Sequence, residues 1–75
     1  GTIAAKMITN YGFTTMGFRR IEAAVDVDNS ASQKLLMSAG YSKEGVLRQR
    51  VTRSDGSQID MVELAVLASD WKELD

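Results

Sequence analysis

The pair Asp55-Gly56 sits between two long strand-like runs, and it limits the possible folds more than any other feature. Asp-Gly is favoured in two-residue type I′ hairpin turns, because both central residues there need a positive φ. With Asp55 and Gly56 as that loop, Tyr41–Arg53 and Gln58–Leu67 become antiparallel partners. The register then sets Ser54 opposite Ser57, Val51 opposite Asp60, Arg48 opposite Glu63 and Leu47 opposite Leu64. Opposite charges at Arg48 and Glu63 suit such a pairing. Along the second strand, Met61, Ala65 and Leu67 fall on one face, and Val62, Leu64 and Val66 on the other. A strand apolar on both faces is expected inside a sheet and covered on both sides.

The residues before the hairpin alternate between helix and strand. Thr2 can cap a helix over Thr2–Met16, where Ile3, Met7, Ile8 and Tyr11 recur near a period of 3.6. Gly12 costs about 1 kcal/mol there relative to alanine. It marks either close packing against a neighbour or a tolerated flaw. Gly17 suits a left-handed residue at the helix end, and Phe13 and Phe18 read as core or anchoring residues. Arg20–Val27 alternates as a strand, with Ile21, Ala23, Val25 and Val27 on one side and Glu22, Ala24 and Asp26 on the other. A second helix follows at once. Ser30 and Gln33 have capping-box spacing, and Asn29 is an equally good cap. Ala31, Leu35, Leu36 and Ala39 give this helix its buried stripe, and Gly40 ends it. Ser69–Glu73 is expected to make a last helical turn that lays Trp71 on the sheet.

The fold class predicted is therefore α/β with a mixed sheet, in the order helix, strand, helix, strand, strand, short helical turn. No linker or repeat divides residues 1–75. A bare sheet of three strands exposes its edges, so pairing with a second copy or a further segment is expected.

Charge and composition narrow the chemistry. A formal net charge of -1 gives no reason to expect nucleic acid. Arginines cluster at Arg19–Arg20 and at Arg48, Arg50 and Arg53, either as solvated strand ends or, for one or two of them, facing a phosphate. Cysteine and histidine are both absent. No disulfide is available, no usual zinc or haem site is expected, and a histidine-supported nucleophile is excluded. No stretch has the roughly 20 apolar residues needed to span a bilayer. Cytoplasm is the expected location.

One junction carries chemical interest. At Asn29–Ser32 the helix start leaves amides unpaired, and the side chains add an amide and two hydroxyls. The same residue types cap helices without any ligand, and Asp26 and Asp28 would oppose an anion. On the preceding strand, Glu22 is a general-base candidate if its face lines a cleft; otherwise it is a structural carboxylate.

Asn29-Ser30-Ala31-Ser32-Gln33-Lys34-Leu35-Leu36, followed by Gly40-Tyr41 and Glu44-Gly45, resembles the C-terminal half of the GNAT superfamily of N-acetyltransferases. Within it the chain looks most like the branch that acetylates ribosomal-protein N-termini. Arg19-Arg20-Ile21-Glu22-Ala23 resembles that family's HRIEA strand, and Gly45-Val46-Leu47-Arg48 its GxLR strand. The resemblance implies an acyl-CoA N-acyltransferase fold, present in part, and transfer of an acetyl group from acetyl-CoA to a primary amine or protein N-terminus. It implies that Asn29 holds the pantetheine arm, that Ser32 lines it, and that the strand bearing Val25 lies beside the acyl group. The closing hairpin would form part of the amine-binding side and often a dimer surface. Many members of the family carry a tyrosine acid seven residues after the Asn; here that position is Leu36, and the branch resembled often lacks the tyrosine as well, so the acid goes unnamed. Residues 1–75 are thus expected to be the C-terminal half of an acetyltransferase domain, inactive by itself, needing either its N-terminal half or a second copy. The alternative is a non-catalytic dimerisation module built on the same half-fold.

Overall fold

The computed structural model describes residues 1–71. Helix α1 (Thr2–Thr14) leads to strand β1 (Arg20–Asp26), helix α2 (Ser30–Ser38), strands β2 (Ser42–Thr52) and β3 (Gln58–Leu67), and a 3-10 turn at Ala68–Asp70. The element order is the one expected, a mixed α/β arrangement. The sheet runs β1-β3-β2 with both pairings antiparallel. The inner strand is therefore β3, and β1-α2-β2 is a crossover between parallel outer strands.

Side-chain alternation on β3 places the core. Val62, Leu64 and Val66 point to one face, opposite Val25, Ala23 and Ile21 of β1, and Val62 and Leu64 are wholly buried. Removing a Val or Leu side chain from water contributes roughly 1.5–3 kcal/mol. Ala39 and Tyr41 complete the buried cluster, with Ala5 and Phe13 of α1, Leu36 of α2 and Trp71 packed against it. Both helices thus share one face of the sheet. The expected cover on both sides is absent among the described residues. The other face carries Met61, Glu63 and Ala65, and Ala65 is buried there beneath an ion pair that joins Arg20 to Glu44.

Helix α1 docks on an unexpected side. Ile3, Met7, Ile8 and Tyr11 are all exposed, and the buried positions are Thr9 and Gly12. The reason is close approach. A Cβ on Gly12 would lie 2.8 Å from Ile21 Cδ1 and 3.2 Å from Phe18 Cδ2, so the glycine serves packing. The helix also begins and ends differently from expectation. Gly1, not Thr2, is the N-cap, and the helix stops at Thr14 with Thr15 as C-cap, two residues short of Met16. Gly17 does adopt a positive φ, in the loop beyond.

Helix α2 starts at Asn29, whose Oδ1 accepts a hydrogen bond from Ser32 N at 3.1 Å. The Ser30–Gln33 capping box does not form. Instead Gln33 Nε2 donates to the carbonyls of Asp26 and Val27, tying the helix back to β1. Of the expected stripe, Ala39 is buried, Leu35 and Leu36 are half-buried, and Ala31 is exposed. Gly40 ends the helix with φ +107.

The hairpin departs from the expected register. Gly56 N donates to Arg53 O, and Arg53 N to Ser57 O, which makes a three-residue loop with Gly56 at φ +90. Thr52 therefore faces Gln58, and Val51 faces Ile59. A bulge over Arg48–Arg50, with Gln49 at φ +52, then shifts the pairing again. Leu47 consequently faces Met61, and Glu63 faces Gly45 instead of Arg48. Asp60 Oδ1 accepts from Gln49 N at 2.8 Å and holds the bulge.

Trp71 packs against the buried cluster and also reaches helix α1. Its Nε1 donates to Asn10 Oδ1 at 2.9 Å, and its ring meets Phe13 at a centroid distance of 5.8 Å. A Cβ on Gly40 would lie 3.3 Å from the same ring. Lys72 and Glu73, expected in the final turn, lie outside the described residues.

Candidate functional site

The end of β1 and the start of α2 form a tightly built corner. Val27 N donates to Asp60 O, Asn29 N to Asp26 O, and Asp28 N to Asp26 Oδ1. The second oxygen of Asp26 accepts from Arg53 Nη2 at 3.1 Å. The Asp26 carboxylate is thus placed by local geometry and paired with a residue of the hairpin. The Asn29 side chain stands at the corner, exposed, with Oδ1 spent on the cap. Its Nδ2 makes no hydrogen bond among the described residues, which leaves one amide donor for a ligand. Ser32 follows one turn later and is half-buried.

Val25 lies four residues before Asn29 on β1, and its side chain packs toward the core. One edge of β1 pairs with β3; among the described residues no strand pairs with the other. Any approach to a ligand at Val25 therefore runs through the backbone groups of that free edge. Val25, Asn29 and Ser32 gather around one strand-to-helix corner, and Glu22 does not join them. It sits upstream on the opposite face, exposed, with Oε2 accepting from Arg20 Nε at 3.0 Å.

Arg20 is the centre of a network that sequence reasoning treated as a solvated strand end. Its Nη2 also reaches Glu44 Oε1 at 2.6 Å, bridging β1 to β2 across the central strand. These bonds hold the guanidinium firmly protonated, and they draw the Glu44 carboxyl below its usual range. The Arg20–Glu22 half of the network is legible as an i, i+2 pair on a strand face. The Glu44 half needs the pairing register. Leu36, at the position of the family's tyrosine acid, is half-buried and packs against the core.

An open groove of about 730 Å³ lies along the hairpin bulge, lined by Val46, Leu47, Arg48, Gln49, Arg50 and Asp60. None of the residues expected to bind coenzyme lines it. Among the described residues, no group of three or more acidic side chains is placed to hold a metal ion, and no helix is long and apolar enough to cross a membrane.

The corner's donor set fits an extended, amide-bearing ligand: a free carboxamide NH₂, a hydroxyl and an unpaired strand edge. Comparison with known proteins addresses the family. A family model described as "Acetyltransferase (GNAT) domain" matches residues 1–42, more than half of the chain. The uncharacterized N-acetyltransferase YoaA of Bacillus subtilis is 52% identical over 42 residues, which are 56% of this chain and 24% of that protein. The uncharacterized N-acetyltransferase p20 of Bacillus licheniformis is 37% identical over 68 residues, covering 91% of this chain and 38% of that protein. Among solved structures, the ribosomal-protein-S5-alanine acetyltransferase of Vibrio fischeri superposes with a TM-score of 0.84 at 27% identity, covering 95% of this chain and 38% of that one. The chain therefore spans well under half the length of these relatives.

Proposed function

The chain belongs to the GNAT acetyltransferase family, and from that premise we propose that it forms the coenzyme-side, C-terminal part of a domain that moves an acetyl group from acetyl-CoA to a primary amine. The observation that carries this reading is the Asn29 side chain. Its oxygen caps α2, and among the described residues its NH₂ is left to donate at the end of a strand whose outer edge is unpaired.

When bound, acetyl-CoA supplies the thioester acyl group. Asn29 Nδ2 donates to a carbonyl of the pantetheine arm, the Ser32 hydroxyl lines the arm, and the β1 backbone at Val25 orients it. Glu22 is the base candidate. Arg20 occupies its Oε2, so the proton is taken by Oε1. No residue of the chain is assigned as the acid, since Leu36 carries no proton.

The likeness to the S5-alanine enzyme supports a protein N-terminal amine as acceptor. Reaction geometry needs donor and acceptor held together, and residues 1–75 hold only one wall. By itself the chain is expected to bind acetyl-CoA weakly and to acetylate nothing; the acetyltransferase containing it does both. Calorimetry with acetyl-CoA on the two forms tests this. Tight one-to-one binding by the 75-residue chain alone overturns the division, and no binding by the longer protein overturns the activity.

A second reading rests on the exposed row Ile3, Met7, Ile8 and Tyr11. A non-catalytic dimerisation module would bury that row against a second copy. Sedimentation decides it: a monomer at high concentration rules the module out.

A further inference from the structure

We propose that Glu63 is the anchor for the positively charged acceptor, a primary ammonium with a short apolar group beside it as in an N-terminal alanine, on the sheet face that the helices leave open. The proposal rests on the acetyltransferase reading and names the residue that selects its acceptor.

Four carboxylates reach this face. Arg20 binds Glu22 and Glu44, and Arg53 binds Asp26. Glu63 has no ion pair and no hydrogen bond among the described residues, although it is half-buried at the middle of the central strand. A carboxylate withdrawn from water without a partner is unfavourable, and a cation arriving from outside relieves that cost.

The neighbours leave room for one. Cross-strand partners of Glu63 are Ala24 on β1 and Gly45 on β2. A Cβ built on Gly45 meets nothing within 4 Å, so among the described residues the space beside the carboxylate is open. The next pair along the same face is Leu47 and Met61, both half-buried. They supply apolar contact for a short alkyl chain beside a carboxylate for its ammonium. Arg48, the cation that sequence pairing sets opposite Glu63, falls instead in the bulge that Asp60 holds. Glu22 faces Ala65, the residue two along from Glu63, so the two carboxylates are diagonal neighbours. Backbone positions in that relation are about 7–8 Å apart, within reach of long side chains. An ammonium held by Glu63 thus stands near the free oxygen of Glu22. Glu63 anchors, and Glu22 takes the proton.

The test uses the acetyltransferase containing this chain, with n-butylamine as acceptor and n-butylammonium as the binding probe followed by NMR. Glu63→Gln is expected to raise the KM for n-butylamine about tenfold, the loss of one charge-assisted hydrogen bond, with the KM for acetyl-CoA unchanged. Glu22→Gln is expected to lower kcat and to leave n-butylammonium binding within about twofold. Gly45→Lys, which places an internal ammonium beside Glu63, should weaken n-butylammonium binding in the same way, and it covers the case in which Glu63→Gln misfolds. Unchanged affinity in both variants, or no n-butylammonium binding by the wild type, overturns the anchor. Binding of the ammonium without any binding of acetyl-CoA supports the anchor and overturns the acetyltransferase reading alone.

Discussion

The hydroxyls of Thr9 and Tyr41 meet at 2.8 Å inside the core, joining the middle of α1 to the residue just before β2. They are the polar tie between a helix that docks by close approach and the sheet beneath it. Tyr41→Phe leaves the Thr9 oxygen buried without its partner, at a cost of about 1–3 kcal/mol. Adding Thr9→Val removes the orphaned group, so the double variant should lose less than the two single losses combined. Urea denaturation of the four proteins in this cycle measures the difference.

Gly12 and Ile21 define the docking distance of α1. Alanine at position 12 would gain about 1 kcal/mol of helix propensity. Contact at 2.8 Å with Ile21 Cδ1 opposes that gain. Gly12→Ala is therefore expected to give no stabilisation alone. Combined with Ile21→Val, which removes the contacting methyl, it should stabilise relative to Ile21→Val. Thermal midpoints of the three variants check the order.

The Arg20–Glu44 bridge gives a pH dependence of defined sign. Hydrogen bonding from Arg20 lowers the Glu44 carboxyl from its ordinary 4.5. A group whose folded pKa is depressed contributes fully above its unfolded value and loses that contribution as pH falls through the lower folded value. Asp55 behaves alike, its carboxyl lowered by the Ser57 hydroxyl and amide. Stability should thus fall in acid below about pH 4.5. Glu44→Gln should flatten that fall without abolishing it, because Asp55 remains. Midpoints recorded across that range for wild type and variant are the measurement.

Asn29 has two separable tasks. Asn29→Ala removes the cap of α2 and should cost about 1 kcal/mol. Asn29→Ser keeps a capping oxygen but has no NH₂ to donate. It should therefore hold stability close to wild type while weakening acetyl-CoA binding by the longer acetyltransferase. Equal coenzyme affinity for Asn29→Ser and wild type would show that the residue is a cap alone.

What the residues determine by themselves is local. Alternation in Gln58–Leu67 makes a central strand that buries Val62, Leu64 and Val66 on one face, because a strand's period of two is a property of the backbone. Asn29 and Gly40 bound α2 because capping oxygens and positive φ are demands met within a few residues. The Asn29–Ser32 corner was legible for the same reason. Tertiary structure decided the rest. An extra residue in the turn and the bulge around Gln49 moved every pairing of β2, since register depends on hydrogen bonds between strands. That shift freed Glu63 from Arg48 and brought Glu44 to Arg20. The docked face of α1 was likewise invisible in the apolar pattern, because the fit follows the smallness of Gly12 and the hydroxyl of Thr9, not hydrophobicity. Local periodicity chose the elements; shape and register chose which side chains meet.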